Sequence, residues 1–167
     1  MLRKQIAKRI TIDPAFLTSH IKKHIFEKAS EISMLDCSKE HGYIIGVNRL
    51  LKIEDSYISN SSCEIVFDVI IDVNTIKPEV GKTFTGITWK VFPDGIFVDI
   101  KNIFKVLIPL ISLFDYRFEK GVFINLKDDA KRIKEGDEVE LRIIGTKYSN
   151  KNYASFGELI SDLKEKV

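Results

Sequence analysis

Long apolar runs are missing from this chain. No stretch approaches the roughly 20 residues a helix needs to span a bilayer, so no membrane partner is expected. Cysteine is scarce. Cys37 and Cys63 form no CxxC pair; a single disulfide is the most they can make, and an intracellular chain keeps both thiols reduced. Excess charge is missing too. Residues 1–80 carry 11 basic and 11 acidic side chains; the remainder carries 15 and 13, for the overall +2. A strong polyanion binder shows a larger excess, so any nucleic-acid contact must come from local placement of charge. The nine glycines are scattered and build no phosphate-cradling loop, so a nucleotide site is not supported. The start, "MLRKQIAKRI", is basic without an apolar segment behind it; neither signal nor transit peptide is read, and the protein is expected to stay inside the cell.

What is there is a soluble mix, 44% hydrophobic and 30% charged, over 167 residues: one ordinary domain or two small ones. "KQIAKRITI" reads as a first strand, stopped by Asp13-Pro14. "AFLTSHIKKHIFEKASEI" puts Leu17, Ile21 and Ile25 four apart, one face of a helix, and residues 33–39 read as a loop. "GYIIGVNRLLKI" is a second strand. "SCEIVFDVIIDV" is a third, with Ile65, Phe67, Val69, Ile71 and Val73 on one side. Its other side mixes Val66 and Ile70 with Glu64, Asp68 and Asp72, which predicts a strand that contacts two neighbours. "NTIKPEVGK" is the expected domain junction.

Beyond it the pattern is all strand: "KTFTGITWKV", a turn at Pro93-Asp94-Gly95, "GIFVDI" and "KVLIPLISL". After a polar stretch from Lys127 to Lys134 comes "GDEVELRIIGT", where Val139, Leu141 and Ile143 alternate with charged residues. "YSNKNY" turns the chain into "YASFGEL", and "LISDLKEKV" reads as a short closing helix. Five short strands with spaced turns predict a small Greek-key barrel of the OB type.

Several residues point to chemistry. Phe84, Trp89, Phe92 and Phe97, interleaved with Lys82, Lys90, Lys101 and Lys105, match single-stranded nucleic-acid binding, where bases stack on rings and lysines track phosphates. Alternation places Phe84, Gly86 and Thr88 on one face and Thr83, Thr85, Ile87 and Trp89 on the other. It puts Ile96, Val98 and Ile100 inside and Phe97 outside. Lys147, Tyr148, Lys151 and Tyr153 surround the closing hairpin, either as an RNA- or partner-facing loop or as a solvated turn. His20 and His24 sit four apart, but no carboxylate or cysteine at a matching spacing completes a metal site. Cys37 with His41 has no orienting third group or oxyanion hole. No catalytic residue, metal or cofactor is expected.

The order Gly81, Gly86, Gly95-Ile96-Phe97-Val98, Val106 to Ile108, Gly136-Asp137-Glu138-Val139 resembles the OB barrel of many RNA-binding proteins. Two further segments narrow this. "CSKEHGYIIGV" and "GDEVELRIIGTKYSNKNYASFGEL" are similar to the larger stalk subunit of multisubunit RNA polymerases, the seventh subunit of eukaryotic polymerase II and its archaeal counterpart. "IDPAFL" sits where that family carries a proline turn before its helix.

The resemblance implies an α+β protein: an N-terminal α/β tip domain (1–79) that docks on the polymerase core, then a five-stranded OB barrel (80–167) facing the RNA exit path. It implies a smaller helical stalk partner, weak contact with nascent single-stranded RNA and no chemistry. Asp13, Pro14 and Phe16, with a loop carrying Lys52, Glu54, Asp55 and Tyr57, would face the core enzyme. Lys82, Trp89, Lys90, Phe97, Lys101, Lys105, Lys147, Tyr148 and Lys151 would face RNA. The chain departs from the family at "KIEDSYISNSS", which lacks the usual Gly and Pro, so the docking surface is expected to be re-shaped. "KVLIPLISL" lacks the His that RNA-gripping barrels carry, so tight RNA binding is not expected. Lysine outnumbers arginine 20 to 6, as in AT-rich genomes, including those of large DNA viruses that encode a polymerase. The expected location is the nucleus of a cell, or the cytoplasmic factory and virion of a virus. The rival reading is a free-standing OB-fold protein binding single-stranded RNA in translation or RNA decay; it leaves the first 80 residues idle.

Overall fold

The most apolar strand lies in the middle of a sheet. In the computed structural model, which describes residues 1–162, β4 (Ile65–Ile76) pairs antiparallel with β1 (Leu2–Ile12) on one edge and β3 (Gly42–Ile58) on the other. The two-residue strand β2 (Cys37–Ser38) completes the order β1-β4-β3-β2. Helix α1 (Ile21–Ser33) covers one face. Ile25 and Ala29 pack against Ile6, Ile10, Phe67, Val69, Ile71 and Val73 in a closed apolar core. These elements form one compact unit, Met1–Lys77; a second begins at Pro78.

Several sequence expectations are corrected in this unit. The helix does not begin at residue 15: Asp13 caps a single 3₁₀ turn over Pro14–Phe16, and α1 starts only at Ile21. Leu17 is therefore exposed and outside the helix, and the buried stripe runs Ile25, Ala29, Ser33. Residues 33–39 are not all loop, since they hold the last helical residue and β2. The stretch Lys52 to Tyr57 is no loop but the second half of β3. The reason is a register shift every third residue: extra residues sit between Ile44/Gly46, Val47/Arg49, Leu50/Lys52 and Ile53/Asp55. Residues 44–55 of β3 thus run against only residues 68–75 of β4. Ile44 lies in the core and Val47, Leu50 and Ile53 pack against it, at a spacing of three instead of two. Bulges of this kind coil a strand and re-aim its side chains.

On the face away from α1, charge replaces apolar packing. Arg3 Nε donates to both oxygens of Asp72 at 2.9 and 2.7 Å, and Arg49 Nε lies 3.5 Å from the same carboxylate, which is only 3% exposed. Hydrogen bonding to Arg3 holds the Asp72 carboxyl below its ordinary range; burial opposes this, and the charges of Arg3 and Arg49 add to it. A depressed folded-state pKa contributes stability above the unfolded-state value of about 3.9 and loses it as pH falls through the folded-state value. Denaturant unfolding at pH 7 and near pH 3 is therefore expected to show a smaller acid loss for Asp72→Asn than for the wild type. An equal loss would mean that Asp72 makes no contribution to acid sensitivity.

The second unit holds a closed barrel in the order β11-β12-β7-β6-β5. Its strands are β5 (Thr83–Phe92), β6 (Gly95–Ile100), β7 (Phe104–Pro109), β11 (Glu138–Ser149) and β12 (Asn152–Asp162). The alternation read from the sequence holds: Ile96, Val98 and Ile100, with Val139, Leu141 and Ile143, are fully buried inside. β12 lies parallel to β7 and the other pairings are antiparallel. Pro109 ends β7, and a 3₁₀ turn (Leu110–Ser112) follows. A small separate sheet, β8 (Tyr116–Glu119), β9 (Val122–Asn125) and β10 (Arg132–Ile133), then interrupts the barrel strands. It includes part of the polar stretch 127–134. Leu159–Asp162 is not the start of a helix but the end of β12, held by pairing of Asp162 with Val139 and Leu159 with Leu141. The rest of the expected closing helix lies outside the described residues.

Candidate nucleic-acid interface

The outward face of the barrel is built by register. β5 and β6 are joined by Pro93-Asp94, with Phe92 opposite Gly95 and Thr88 opposite Val98. One extra residue falls between Thr88 and Lys90: Trp89. Trp89 and Lys90 are therefore both exposed, where strict alternation would show one of them. Lys90 stands opposite Phe97, Phe97 opposite Leu107, Leu107 beside Phe156, and Phe156 opposite Gly145. One row thus crosses all five strands on the outside.

At the β5–β6 end of this row, rings touch edge to face. Phe97 lies 6.4 Å from Trp89 and 6.0 Å from Phe92, each pair nearly perpendicular. Such pairs are worth about 0.5–1.5 kcal/mol beyond area burial, so the rings hold one another in place without a ligand. Trp89, Phe92 and Phe156 remain 49%, 45% and 46% exposed, leaving ring surface for stacking. Lys105 Nζ sits 4.6 Å from the centre of the Trp89 ring. A cation over an exposed ring contributes about 0.5–1 kcal/mol. Lys90 lies 3.7 Å from Glu135. A cleft beside Trp89 is lined by Asp99, Lys101, Asn102 and Glu135, so charge of both signs flanks the rings.

Of the sequence candidates, the structure brings together Trp89, Lys90, Phe97, Lys101 and Lys105. Lys147 points outward, opposite Ala154 on β12, which lies two residues before Phe156. Lys151 and Asn150 form the closing turn, both with positive φ (56° and 49°), as a tight type I′ hairpin requires. Tyr148 packs its ring 5.1 Å from Tyr153, itself buried. Lys82 lies apart, just before β5, 2.5 Å from Glu79. Phe84 turns inward against Phe104. Sequence reasoning missed Phe156 and Leu107. A signal for Phe156 exists in "YASFGEL": small Ser155 and Gly157 take the inward positions, which leaves the large ring outside.

On the first unit the docking candidates fall in two places. Asp13 Oδ1 accepts from the Ala15 N–H at 2.8 Å and fixes the turn that exposes Phe16, whose ring lies 5.4 Å from that of His24. Phe16, Ile12, His24, Glu27, Lys28 and Glu31 line a shallow cleft. Lys52, Glu54, Asp55 and Tyr57 are all exposed along the bulged half of β3. Arg9, paired with Asp68 at 2.8 Å, lies 5.8 Å over the Tyr57 ring.

Neither cysteine is in a disulfide. Burial, with Asp36 nearby, pushes the Cys37 thiol up to about 11, against a lowering hydrogen bond with Tyr43. At neutral pH roughly one Cys37 in ten thousand is then thiolate, the opposite of an activated nucleophile. Iodoacetamide at pH 7 is expected to label exposed Cys63 and spare Cys37, read by mass spectrometry. Comparable labelling of both would contradict the buried placement.

Residues 77–155 match the S1 RNA binding domain family. Over 145 residues the chain is 28% identical to DNA-directed RNA polymerase V subunit 7 of Arabidopsis thaliana, covering 85% of this chain and 76% of that one. It is 28% identical over 130 residues to the RNA polymerase II subunit rpb7 of Dictyostelium discoideum, covering 75% of each. With the corresponding subunit of Glycine max it shares 20% over 159 residues, 94% of this chain and 90% of that one. Among solved structures, RNase R of Mycoplasma genitalium matches 48% of this chain at 30% identity and a TM-score of 0.41, and the chain spans only 13% of that enzyme. The chain is thus similar, along most of its length, to subunit 7 of DNA-directed RNA polymerases V and II, and its residues 77–155 to the S1 RNA binding domain.

Proposed function

We propose that this chain is a noncatalytic stalk subunit of a DNA-directed RNA polymerase. Its first unit docks on the core enzyme and its barrel lies beside nascent RNA. The observation that carries this is the span of the match: the similarity covers 85% of the chain, both units in order. Phe16 with Asp13 and Pro14, and the exposed strand from Lys52 to Tyr57, are the surfaces offered to the core. The row of Trp89, Phe97 and Phe156 with Lys90, Lys101 and Lys105 is the surface offered to RNA; Lys147, Tyr148 and Lys151 extend it along the closing hairpin. Lys82, engaged with Glu79, is assigned a peripheral part. A barrel carried by a polymerase meets RNA at high effective concentration and needs little affinity of its own. A smaller helical stalk subunit is the expected companion, and in a cell the chain follows its polymerase into the nucleus.

Gentle affinity purification of the tagged full chain, read by mass spectrometry, is expected to recover the large catalytic polymerase subunits. Recovery free of polymerase, together with tight RNA binding by the isolated chain, would overturn this reading in favour of a free-standing RNA-binding protein.

A further inference from the structure

Trp89 is the bulged residue of β5 and the only tryptophan of the chain, and one face of its ring is taken. The ammonium of Lys105 lies 4.6 Å from the ring centre. Lys105 stands in register opposite Asp99 on β6. Yet among the described residues its ammonium makes no ion pair, and its cation–π contact is with the neutral indole. A base cannot stack on that face while the ammonium covers it. A phosphate at the same place offers the ammonium a full negative charge, which an indole does not.

We infer that Lys105 is a latch on the stacking face of Trp89 that single-stranded RNA opens, the phosphate drawing the ammonium off the ring as a base takes its place. This rests on the RNA-facing reading of the barrel and adds a positioning role for one residue. In the free chain the latch covers apolar ring surface. In the bound chain the same lysine becomes a phosphate contact, so stacking and charge neutralisation at this site occur together or not at all. The ring's contact with Phe97, 6.4 Å between centres, keeps the indole in place while the lysine leaves.

The test uses the full chain, a uridine homopolymer of about 12 nucleotides (one OB fold covers roughly 4–16), and the fluorescence of Trp89. In the free chain, Lys105→Ala is expected to raise acrylamide quenching of Trp89 and Lys105→Arg is expected to leave it near wild type. Equal quenching in the alanine variant means the ammonium does not cover the ring and overturns the latch. With RNA, the log–log salt dependence of binding is expected to flatten by about 0.7 in Lys105→Ala, the loss of one single-strand phosphate contact. Lys105→Arg is expected to restore it, and Lys22→Ala on α1 to leave it unchanged. RNA binding that keeps the wild-type salt slope in Lys105→Ala sinks the latch and leaves the RNA-facing reading intact. No saturable binding by the wild type, by fluorescence or by anisotropy of a labelled oligomer, sinks both. Circular dichroism melts of each variant verify folding.

Discussion

Trp89→Ala and Phe97→Ala are each expected to weaken binding of a single-stranded RNA oligomer by about 5- to 150-fold. That range follows from about 1–3 kcal/mol per stacked base, with each 1.4 kcal/mol a factor of ten. The two rings touch, so their effects are coupled and the double variant is expected to lose less than the product of the single losses. Trp89→Phe retains a ring and is expected to recover most of the affinity. Trp89 and its neighbour Phe92 are about half exposed, so truncating the tryptophan removes little core. Phe156→Ala tests whether the strand continues over β12: a loss comparable to Phe97→Ala extends the path across the barrel, and an unchanged affinity ends it at β6. If neither Trp89→Ala nor Phe97→Ala alters binding measured by anisotropy at moderate salt, RNA does not use this face.

Gly95→Ala is expected to destabilise the barrel by about 3 kcal/mol or more, read as a lowered denaturant midpoint. Two costs combine. Gly95 has φ +151°, a conformation that side-chain-bearing residues rarely adopt, and a Cβ there would stand 2.3 Å from the Ile108 carbonyl oxygen across the β6–β7 pairing. Backbone strain of this kind costs about 1–3 kcal/mol, and forcing atoms into packed space costs about 1–3 more. The obstacle is backbone, which cannot step aside as a flexible side chain can. Gly136 supplies the comparison. Its φ is +89°, but a Cβ at that position would meet nothing within 4 Å, so Gly136→Ala carries only the conformational cost of about 1–2 kcal/mol. A Gly95→Ala loss no larger than that of Gly136→Ala would mean that β7 moves aside and the barrel is softer than its pairing suggests.

Period-two patterns were legible wherever the strands pair regularly. Val139, Leu141 and Ile143 on β11, and Ile96, Val98 and Ile100 on β6, are read from alternation and are buried. The two-sided character of β4 pointed to contact with two neighbours, and β4 pairs with both β1 and β3. The second half of β3 was not legible. Its inward residues Ile44, Val47, Leu50 and Ile53 recur every third position because each shift inserts one residue, a spacing unlike that of a regular strand. Lys52 to Tyr57 therefore passes for a loop. The end of β12 failed differently: Leu159 to Asp162 runs into the helix-favouring residues "LKEKV", but pairing with β11 holds these four residues in the strand. The strands of the small sheet β8–β10 span two to four residues, too few to show any period.

The same division holds for the candidate interface. Local sequence pattern is enough to name the available residues: rings and lysines on short strands, a turn at Pro93-Asp94, an outward side for Phe97. These depend on local alternation, which any regular strand obeys. Only the tertiary structure decided which of them meet. The bulge at Trp89 brings Lys90 outward beside it, and barrel closure sets the registers that carry the row from Lys90 through Phe97 and Leu107 to Phe156. Register between strands distant in sequence is set by packing and ring closure of the whole barrel, and no local period along one strand encodes it.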